Sequence, residues 1–167
     1  MKSKEAKSLV TQVAFCYGLN RRIKLPFNFH LCGFSGDLRS DFERMGSKFW
    51  HANFHENFFY NNENLMQNKD KLIYLSPDSP NTLEDFADDA VFIVGGFVDK
   101  PVSKNRTLFK ANDLGIKTAK LPLEEYVENI KKTVLNINTV VEILANFQQS
   151  KDWKSSIESA LPKRMIE

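Results

Sequence analysis

The second half of the chain alternates short apolar runs with segments of helical spacing, and this pattern limits its possible folds more than any other feature. The runs at 72–75 and 91–94 consist almost entirely of apolar residues, and a third short run lies within 118–123. Strands that alternate with helices are typical of an α/β domain, because parallel strands need a crossover segment between them. We therefore predict a mostly parallel sheet flanked by helices.

The spacing of apolar residues also predicts the helices. Residues 4–17 place Leu9, Val10 and Val13 on one helical face, whereas residues 27–32 alternate as a strand does. Ser79 suits an N-cap and Pro80 a first helical turn, which predicts a short helix through Phe86. Residues 35–68 have no clean period and are expected to form loops with short helices. Further helices are expected around 108–114, ending at Gly115, around 140–147 and around 153–161.

Length and composition are those of an ordinary globular protein. With 167 residues, 42% of them hydrophobic and 26% charged, we expect one domain over residues 1–167. The net charge of +2 is compatible with an acidic partner but does not require one. No apolar run approaches the roughly 20 residues that span a bilayer, so no membrane partner is expected. No secretory signal is evident at the N-terminus, and the two cysteines suit a reducing compartment, so we expect the cytoplasm or nucleus.

Several common kinds of site find no support in the sequence. Neither a Gly-x-Gly-x-x-Gly sequence nor a Walker loop occurs, which disfavours a phosphate-cradling nucleotide site. His51 and His55 are four apart and could share a helix face, but no third ligand stands at a recognisable spacing, so no metal is expected. Cys16 and Cys32 lack an obvious histidine partner and are assigned to packing.

The loops after the predicted strands are the default ligand site. In open α/β sheets, ligands bind outside the carboxyl ends of the strands, here after Leu75, Val94 and Leu121. The Gly95-Gly96 pair would permit a close backbone approach to a ligand, although a glycine pair after a strand is often only a turn. Asp99 would lie at the same edge, although such an aspartate often caps a helix or faces solvent.

Taken in order, these motifs resemble one family. The chain is similar to the catalytic domain of the tRNA N1-methylguanosine methyltransferases that modify position 9, which belong to the SPOUT superfamily. The resemblance covers essentially the whole chain and is specific as an ordered set. The segments that carry it are Tyr17-Gly18 with Asn20-Arg21-Arg22, Ile73 to Pro80, Val91 to Lys100, Thr107 to Ala111, Gly115 to Leu123, Val134 to Ile143, Asp152-Trp153 and Leu161 to Arg164.

The resemblance implies a SPOUT-type sheet whose C-terminal part is threaded into a trefoil knot. It also implies S-adenosylmethionine as the cofactor, held largely by backbone groups of three loops, and Asp99 as the proposed general base. The implied cofactor-binding residues are Leu75 and Ser76 in the first loop, Gly95, Gly96, Lys100, Pro101, Val102, Ser103 and Thr107 in the second, and Leu121, Val134, Leu135 and Asn136 in the third.

The implied partner is tRNA, and the protein is expected to be a monomer. Members of this family usually carry a basic N-terminal extension, which is expected to be absent here because the chain begins close to the SPOUT domain. The same pattern fits relatives that methylate adenosine at position 9, and also an RNA-binding SPOUT module or complex subunit without activity. The basic residues expected to contact tRNA phosphates are Arg21, Arg22, Lys24, Lys104, Arg106 and Lys110.

Methylation of N1 requires a group that accepts a proton, and an aspartate can be that group. N1 of neutral guanine carries a proton that must leave when the methyl group arrives, and a carboxylate within about 3 Å could accept it. An ordinary aspartate, with a pKa of about 3.9, is a feeble base near neutrality, so burial or contact with the base must assist it. Alternatively, Asp99 only orients the base and water takes the proton.

Overall fold

A computed structural model describes residues 3–96, 106–128, 130, 133–162 and 165. The chain divides into two compact units, Met1–Lys69 and Asp70–Glu167. The single domain over residues 1–167 stays a prediction. Among the described residues, no helix is both long and apolar enough to cross a membrane.

The first unit contains three α-helices and two short parallel strands. Helix α1 buries the predicted apolar face, including Val10 and Val13. Strands β1 and β2 pair in parallel, with His30 opposite Asn53 and Cys32 opposite His55. The elements are α1 (Ser3–Asn20), β1 (His30–Cys32), α2 (Gly36–Arg44), β2 (Asn53–His55) and α3 (Glu63–Gln67), with single 3-10 turns at Ser47–Phe49, Phe59–Asn61 and, across the boundary of the units, Lys69–Lys71.

The strand predicted over residues 27–32 is shorter than expected. Its first residue, Phe27, is bonded through its backbone N–H and carbonyl to the side chain of Asn20, at 2.7 and 2.9 Å. This buried asparagine therefore takes the backbone groups that a longer strand would use for pairing. As a result, β1 begins only at His30.

The second unit is built on a three-stranded parallel sheet in the order β4-β3-β5. Leu75 at the end of β3 lies opposite both Val94 of β4 and Ala119 of β5, so the three carboxyl ends meet at one edge. The predicted α/β class with parallel strands is confirmed. The elements are β3 (Leu72–Leu75), β4 (Val91–Val94), α4 (Arg106–Asp113), β5 (Lys117–Ala119), α5 (Leu123–Tyr126), α6 (Ile137–Ser150) and α7 (Trp153–Ala160).

The helices of the second unit follow the sequence pattern closely. Gly115, two residues after the end of α4, adopts a φ of 65°, as the predicted helix stop requires. The Phe147 ring of α6 stacks on Trp153 of α7 with ring centroids 3.8 Å apart. The indole N–H of Trp153 donates to the carbonyl of Glu84 at 2.6 Å, which satisfies the polar atom of a buried aromatic ring.

The helix predicted from Ser79 to Phe86 is wrong. This segment is irregular, with one parallel bridge between Thr82 and Lys120. Ser79 does not cap a helix, because its hydroxyl is bonded to the hydroxyl of Thr118 at 3.0 Å. The strand predicted over residues 118–123 is also shorter, since β5 ends at Ala119 and α5 begins at Leu123.

Candidate functional site

The candidate site lies at the carboxyl edge of the three-stranded sheet. Ser76 follows β3, Gly95 and Gly96 follow β4, and the chain beyond β5 reaches Leu121. The backbone N–H of Ser76 donates to the carbonyl of Ala119 at 2.9 Å, so the first and third of these segments touch directly. The structure therefore brings the starts of all three predicted loops to one edge, as parallel strands must.

Gly95 lies where no side chain fits easily. A Cβ placed on Gly95 would come within 3.2 Å of the Tyr74 hydroxyl oxygen, which is tighter than ordinary van der Waals contact. Tyr74 belongs to the neighbouring strand β3 and is buried, so it has little room to withdraw. Crowding by Tyr74 thus explains why a residue without a side chain stands at the end of β4, and close approach of the backbone to a ligand stays a prediction.

The segment before α6 is the other described part of the predicted cofactor site. Val134 is exposed, Leu135 is half-buried, and Asn136 is the N-cap of α6 with its own side chain exposed. The backbone carbonyl of Asn136 accepts from the N–H of Val140 at 3.1 Å. The segment carries no charge, which suits recognition through backbone groups.

Part of the predicted site lies outside the described residues. This holds for Asp99 and for the side chains of Arg106 and Thr107, which open α4. Lys110 is exposed on the same helix. The other predicted site residues outside the described part of the chain are Lys100, Pro101, Val102, Ser103 and Lys104.

The basic connector of the first unit is exposed as expected for a phosphate-contacting segment. Arg21, Arg22 and Lys24 all present accessible side chains directly after α1. The Arg21 guanidinium lies over the Tyr17 ring, 5.9 Å from its centroid, and this contact orients it. Within the first unit, three positive charges therefore stand on four consecutive positions.

The pairing of His51 with His55 on one helix face is wrong, because His55 lies in β2 and pairs with His30. The Nδ1 atom of His30 is 2.9 Å from Nε2 of His55. The two rings are parallel, but this contact is shorter than the roughly 3.5 Å of van der Waals packing, so it is a hydrogen bond and not face stacking. No group of three metal-ligating side chains occurs among the described residues, so no metal centre is assigned.

The histidine pair should make the stability of the protein depend on pH. The pKa of His30 is lowered from its ordinary value of 6.5. Burial is the larger cause, and the neighbouring His55 ring is the smaller one. Below pH 6.5 the unfolded chain therefore binds a proton that the folded chain resists. We expect the free energy of unfolding to fall as the pH drops from 7.5 to 5.5, as measured by urea denaturation.

The matching variant is His30→Gln, in which this part of the pH dependence should disappear. His51→Gln is the control, because only the backbone N–H of His51 is hydrogen-bonded, to the Tyr17 hydroxyl. An unchanged slope in His30→Gln would exclude the pair as its source.

Both cysteines behave as packing residues. Cys16 is fully buried, and burial raises the pKa of its thiol to about 12. Burial also raises the pKa of the Cys32 thiol, which lies in β1. Since the thiolate is the reactive form, neither cysteine is suited to nucleophilic chemistry near neutral pH.

The second unit also contains a shallow cleft that is lined by aromatic and charged side chains. Its volume is about 540 Å³, and its aromatic floor of Phe147 and Trp153 is buried. Lys151 extends along one side, 3.4 Å from the Asp85 carboxylate and over the Phe147 ring. None of the residues that line the cleft belongs to the predicted cofactor segments.

The fold and the converging loops define an α/β protein with a candidate ligand site at the carboxyl edge of parallel strands. The chain belongs to the family described as tRNA (guanine(9)-N(1))-methyltransferase TRM10/TRM10A, since the model of that family matches residues 1–166. The resemblance drawn from the motifs is therefore confirmed.

Individual relatives agree with this assignment. The chain is 36% identical to a tRNA (guanine(9)-N1)-methyltransferase of Schizosaccharomyces pombe over 98% of its own length and 55% of the relative's. It is 34% identical to tRNA methyltransferase 10 homolog A of Rattus norvegicus, over 96% and 48% of the two chains. The chain thus spans about half the length of these curated relatives.

A solved structure shows the same fold. A crystal structure of full-length spTrm10 in complex with SAH matches with a TM-score of 0.87 at 34% identity. The match covers 97% of this chain and 88% of that one.

Proposed function

We propose that this chain is an S-adenosylmethionine-dependent methyltransferase that modifies N1 of guanine at position 9 of tRNA. The observation that carries the proposal is the family match over residues 1–166. The three loops that begin at one edge of the sheet agree with it. Guanine is preferred to adenine because the matching family and the Schizosaccharomyces pombe relative both carry the guanine name.

The residues at the sheet edge fit the proposed cofactor. Glycine at position 95 leaves the end of β4 without a side chain, since a Cβ there would lie 3.2 Å from the Tyr74 hydroxyl oxygen. The segments around Leu75 and Leu135 offer backbone groups and apolar side chains, which suit an adenosyl group without phosphates. The related structure with SAH supports the same assignment, because SAH is what remains of this cofactor after methyl transfer.

The proposed chemistry divides between positioning and proton removal. Bound S-adenosylmethionine supplies an electrophilic methyl group on its sulfonium sulfur. The segments at Ser76, Gly95 and Leu121 hold the site in one geometry, and such positioning can contribute about 7 to 11 kcal/mol to a rate. Asp99 receives the N1 proton or orients the base, the two roles between which the sequence did not decide.

Three finer points belong to the same proposal. The second unit carries the SPOUT-type trefoil knot, the chain acts as a monomer, and it works in the cytoplasm or nucleus. The first point rests on the resemblance to the SPOUT superfamily, and the three-stranded parallel sheet of the second unit is consistent with it. Native mass spectrometry would test the second, and a stable dimer would contradict it.

One experiment tests the function directly. Purified protein is incubated with unmodified tRNA and S-adenosylmethionine, and the nucleosides are then identified by mass spectrometry. We expect N1-methylguanosine from tRNA with guanine at position 9, and little product from tRNA that carries a pyrimidine there. Cofactor binding without methylation of any tRNA would instead indicate an RNA-binding module without activity.

The basic connector should carry part of the affinity for tRNA. Each phosphate that a protein neutralises contributes about 0.7 to 0.9 to the slope of log affinity against log salt concentration. The exposed side chains of Arg21 and Arg22 stand next to each other, so we expect the double variant Arg21→Ala/Arg22→Ala to flatten this slope. Filter binding of tRNA at several salt concentrations measures it.

A matched double variant controls for the general loss of positive charge. Lys4→Ala/Lys7→Ala removes two cations from α1 that were not assigned to RNA contact. If both double variants have the slope of the unaltered protein, the RNA-binding surface lies elsewhere.

A further inference from the structure

Two buried hydroxyl groups, 39 positions apart in the chain, form a hydrogen bond beside the candidate site. The Oγ atom of Ser79 lies 3.0 Å from Oγ1 of Thr118, and the two residues are only 3% and 8% exposed. The backbone N–H of Asn81 also donates to the Ser79 hydroxyl at 3.2 Å. One hydroxyl donates to the other, so each of the two buried oxygen atoms has a hydrogen-bond partner where solvent hardly reaches.

Neighbouring backbone bonds extend this contact into a short ladder. The Asn81 side-chain amide donates to the Thr118 carbonyl at 3.3 Å, and the Lys120 N–H donates to the Asn81 carbonyl at 2.8 Å. The N–H of Leu83 then donates to the carbonyl of Lys120 at 2.8 Å. The loop after β3 therefore runs alongside the end of β5 as an additional paired segment.

The ladder lies between two of the segments that the proposed function assigns to the cofactor. Ser76 is three residues before Ser79, and its N–H is bonded to the carbonyl of Ala119, the residue after Thr118. Leu121 is three residues after Thr118. The hydroxyl pair thus sits where it fixes the spacing of the Leu75–Ser76 segment relative to Leu121.

We propose that Thr118 and Ser79 are positioning residues for S-adenosylmethionine, an inference that rests on the proposed function. Neither side chain has to touch the cofactor. Their bond holds two cofactor segments at the separation that binding needs, so that little ordering remains when the ligand arrives. The bond therefore contributes to cofactor affinity and not to the chemical step.

The first test is Thr118→Val, which keeps the branched shape and removes the hydroxyl. We expect the dissociation constant for S-adenosylmethionine, measured by calorimetry, to rise about tenfold, within the usual range of coupling between a residue and a ligand. The methylation rate at saturating cofactor should stay within about twofold, because the chemical groups are unchanged. Thr118→Ser restores a hydroxyl and should recover most of the affinity.

A second comparison separates positioning from a merely structural role. Removing one member of a buried pair leaves the other unsatisfied, whereas removing both is often nearly neutral for stability. The double variant Ser79→Ala/Thr118→Val should therefore recover part of the thermal stability that Thr118→Val loses, since only the Asn81 N–H then lacks its acceptor, while its cofactor affinity stays low. Recovery of both quantities together would overturn the positioning role.

Two further variants keep the test decisive. Asn81→Ala removes the hydrogen bond from the Asn81 side chain to the Thr118 carbonyl. Because Asn81 is exposed, this variant should fold even if Thr118→Val does not, and it should lose less cofactor affinity. Thr11→Val makes the same chemical change at an exposed position of α1, in the first unit, and should bind the cofactor as the unaltered protein does.

The outcomes distinguish this inference from the proposed function. Unaltered protein that binds no S-adenosylmethionine would overturn both. Cofactor affinities of Thr118→Val and Asn81→Ala equal to that of the unaltered protein would overturn the positioning role alone and leave the proposed function standing.

Discussion

Asp99→Asn is expected to lower single-turnover methylation of tRNA by about a hundredfold or more, the usual contribution of a positioned general base. Asparagine has nearly the same shape and still forms hydrogen bonds, but it cannot accept the N1 proton of guanine. The cofactor is assigned to backbone groups, so its affinity should remain that of the unaltered protein. Single-turnover kinetics with excess enzyme, together with calorimetry of cofactor binding, measure both quantities.

The same variant decides between the two roles left open for Asp99. An amide can orient the base almost as well as a carboxylate, so a loss of less than about tenfold would mean that Asp99 orients and water takes the proton. Asp113→Asn, at the exposed end of α4, makes the same change at a residue that is not assigned to the site and serves as the control.

Local sequence signals were enough for strands β3 and β4 and for the end of helix α4 in the second unit. The runs at Leu72–Leu75 and Val91–Val94 became strands because short runs rich in β-branched and aromatic residues favour strands. Gly115 ended α4 because glycine adopts a positive φ without steric cost. In both cases the residues that determine the element lie within a few positions of one another in the sequence.

Distant contacts explain the errors. Ser79 has the local chemistry of an N-cap, but in the fold its hydroxyl is bonded to Thr118 in β5. The local sequence indicates the capping residue but not a hydrogen-bond partner 39 positions further along the chain. The histidine pair shows the same limit, since only the register of β1 against β2 places His30 next to His55.

The candidate site was predictable in outline and not in detail. The rule that ligands bind at the carboxyl ends of parallel strands identified the loop starts at Ser76, Gly95 and Leu121. The proximity of Tyr74 to Gly95 could not be predicted, because it depends on where a side chain of β3 reaches across the sheet. Because of that proximity, the effect of a side chain at position 95 can be predicted from the structure, although the sequence alone left the role of the Gly95-Gly96 pair open.

Gly95→Ala is expected to weaken S-adenosylmethionine binding strongly. The new Cβ would lie 3.2 Å from the buried Tyr74 hydroxyl, so either the tyrosine or the loop that starts at Gly95 must move. Overpacking of this kind costs about 1 to 3 kcal/mol, which corresponds to about a 5- to 150-fold loss of affinity if the strain falls on the bound loop. Calorimetry with the cofactor measures the loss.

Tyr74→Phe supplies the matched rescue. Phenylalanine keeps the ring and removes the oxygen that the Cβ would meet, so Gly95→Ala/Tyr74→Phe should bind the cofactor more tightly than Gly95→Ala alone. Tyr74→Phe by itself measures what the lost hydroxyl costs, and the double-mutant cycle isolates the steric part. Additive effects in that cycle would show that the Cβ of residue 95 disturbs something other than Tyr74. If Gly95→Ala itself binds as tightly as the unaltered protein, the end of β4 does not approach the cofactor closely, and the ligand site must be sought around Ser76 and Leu121 alone.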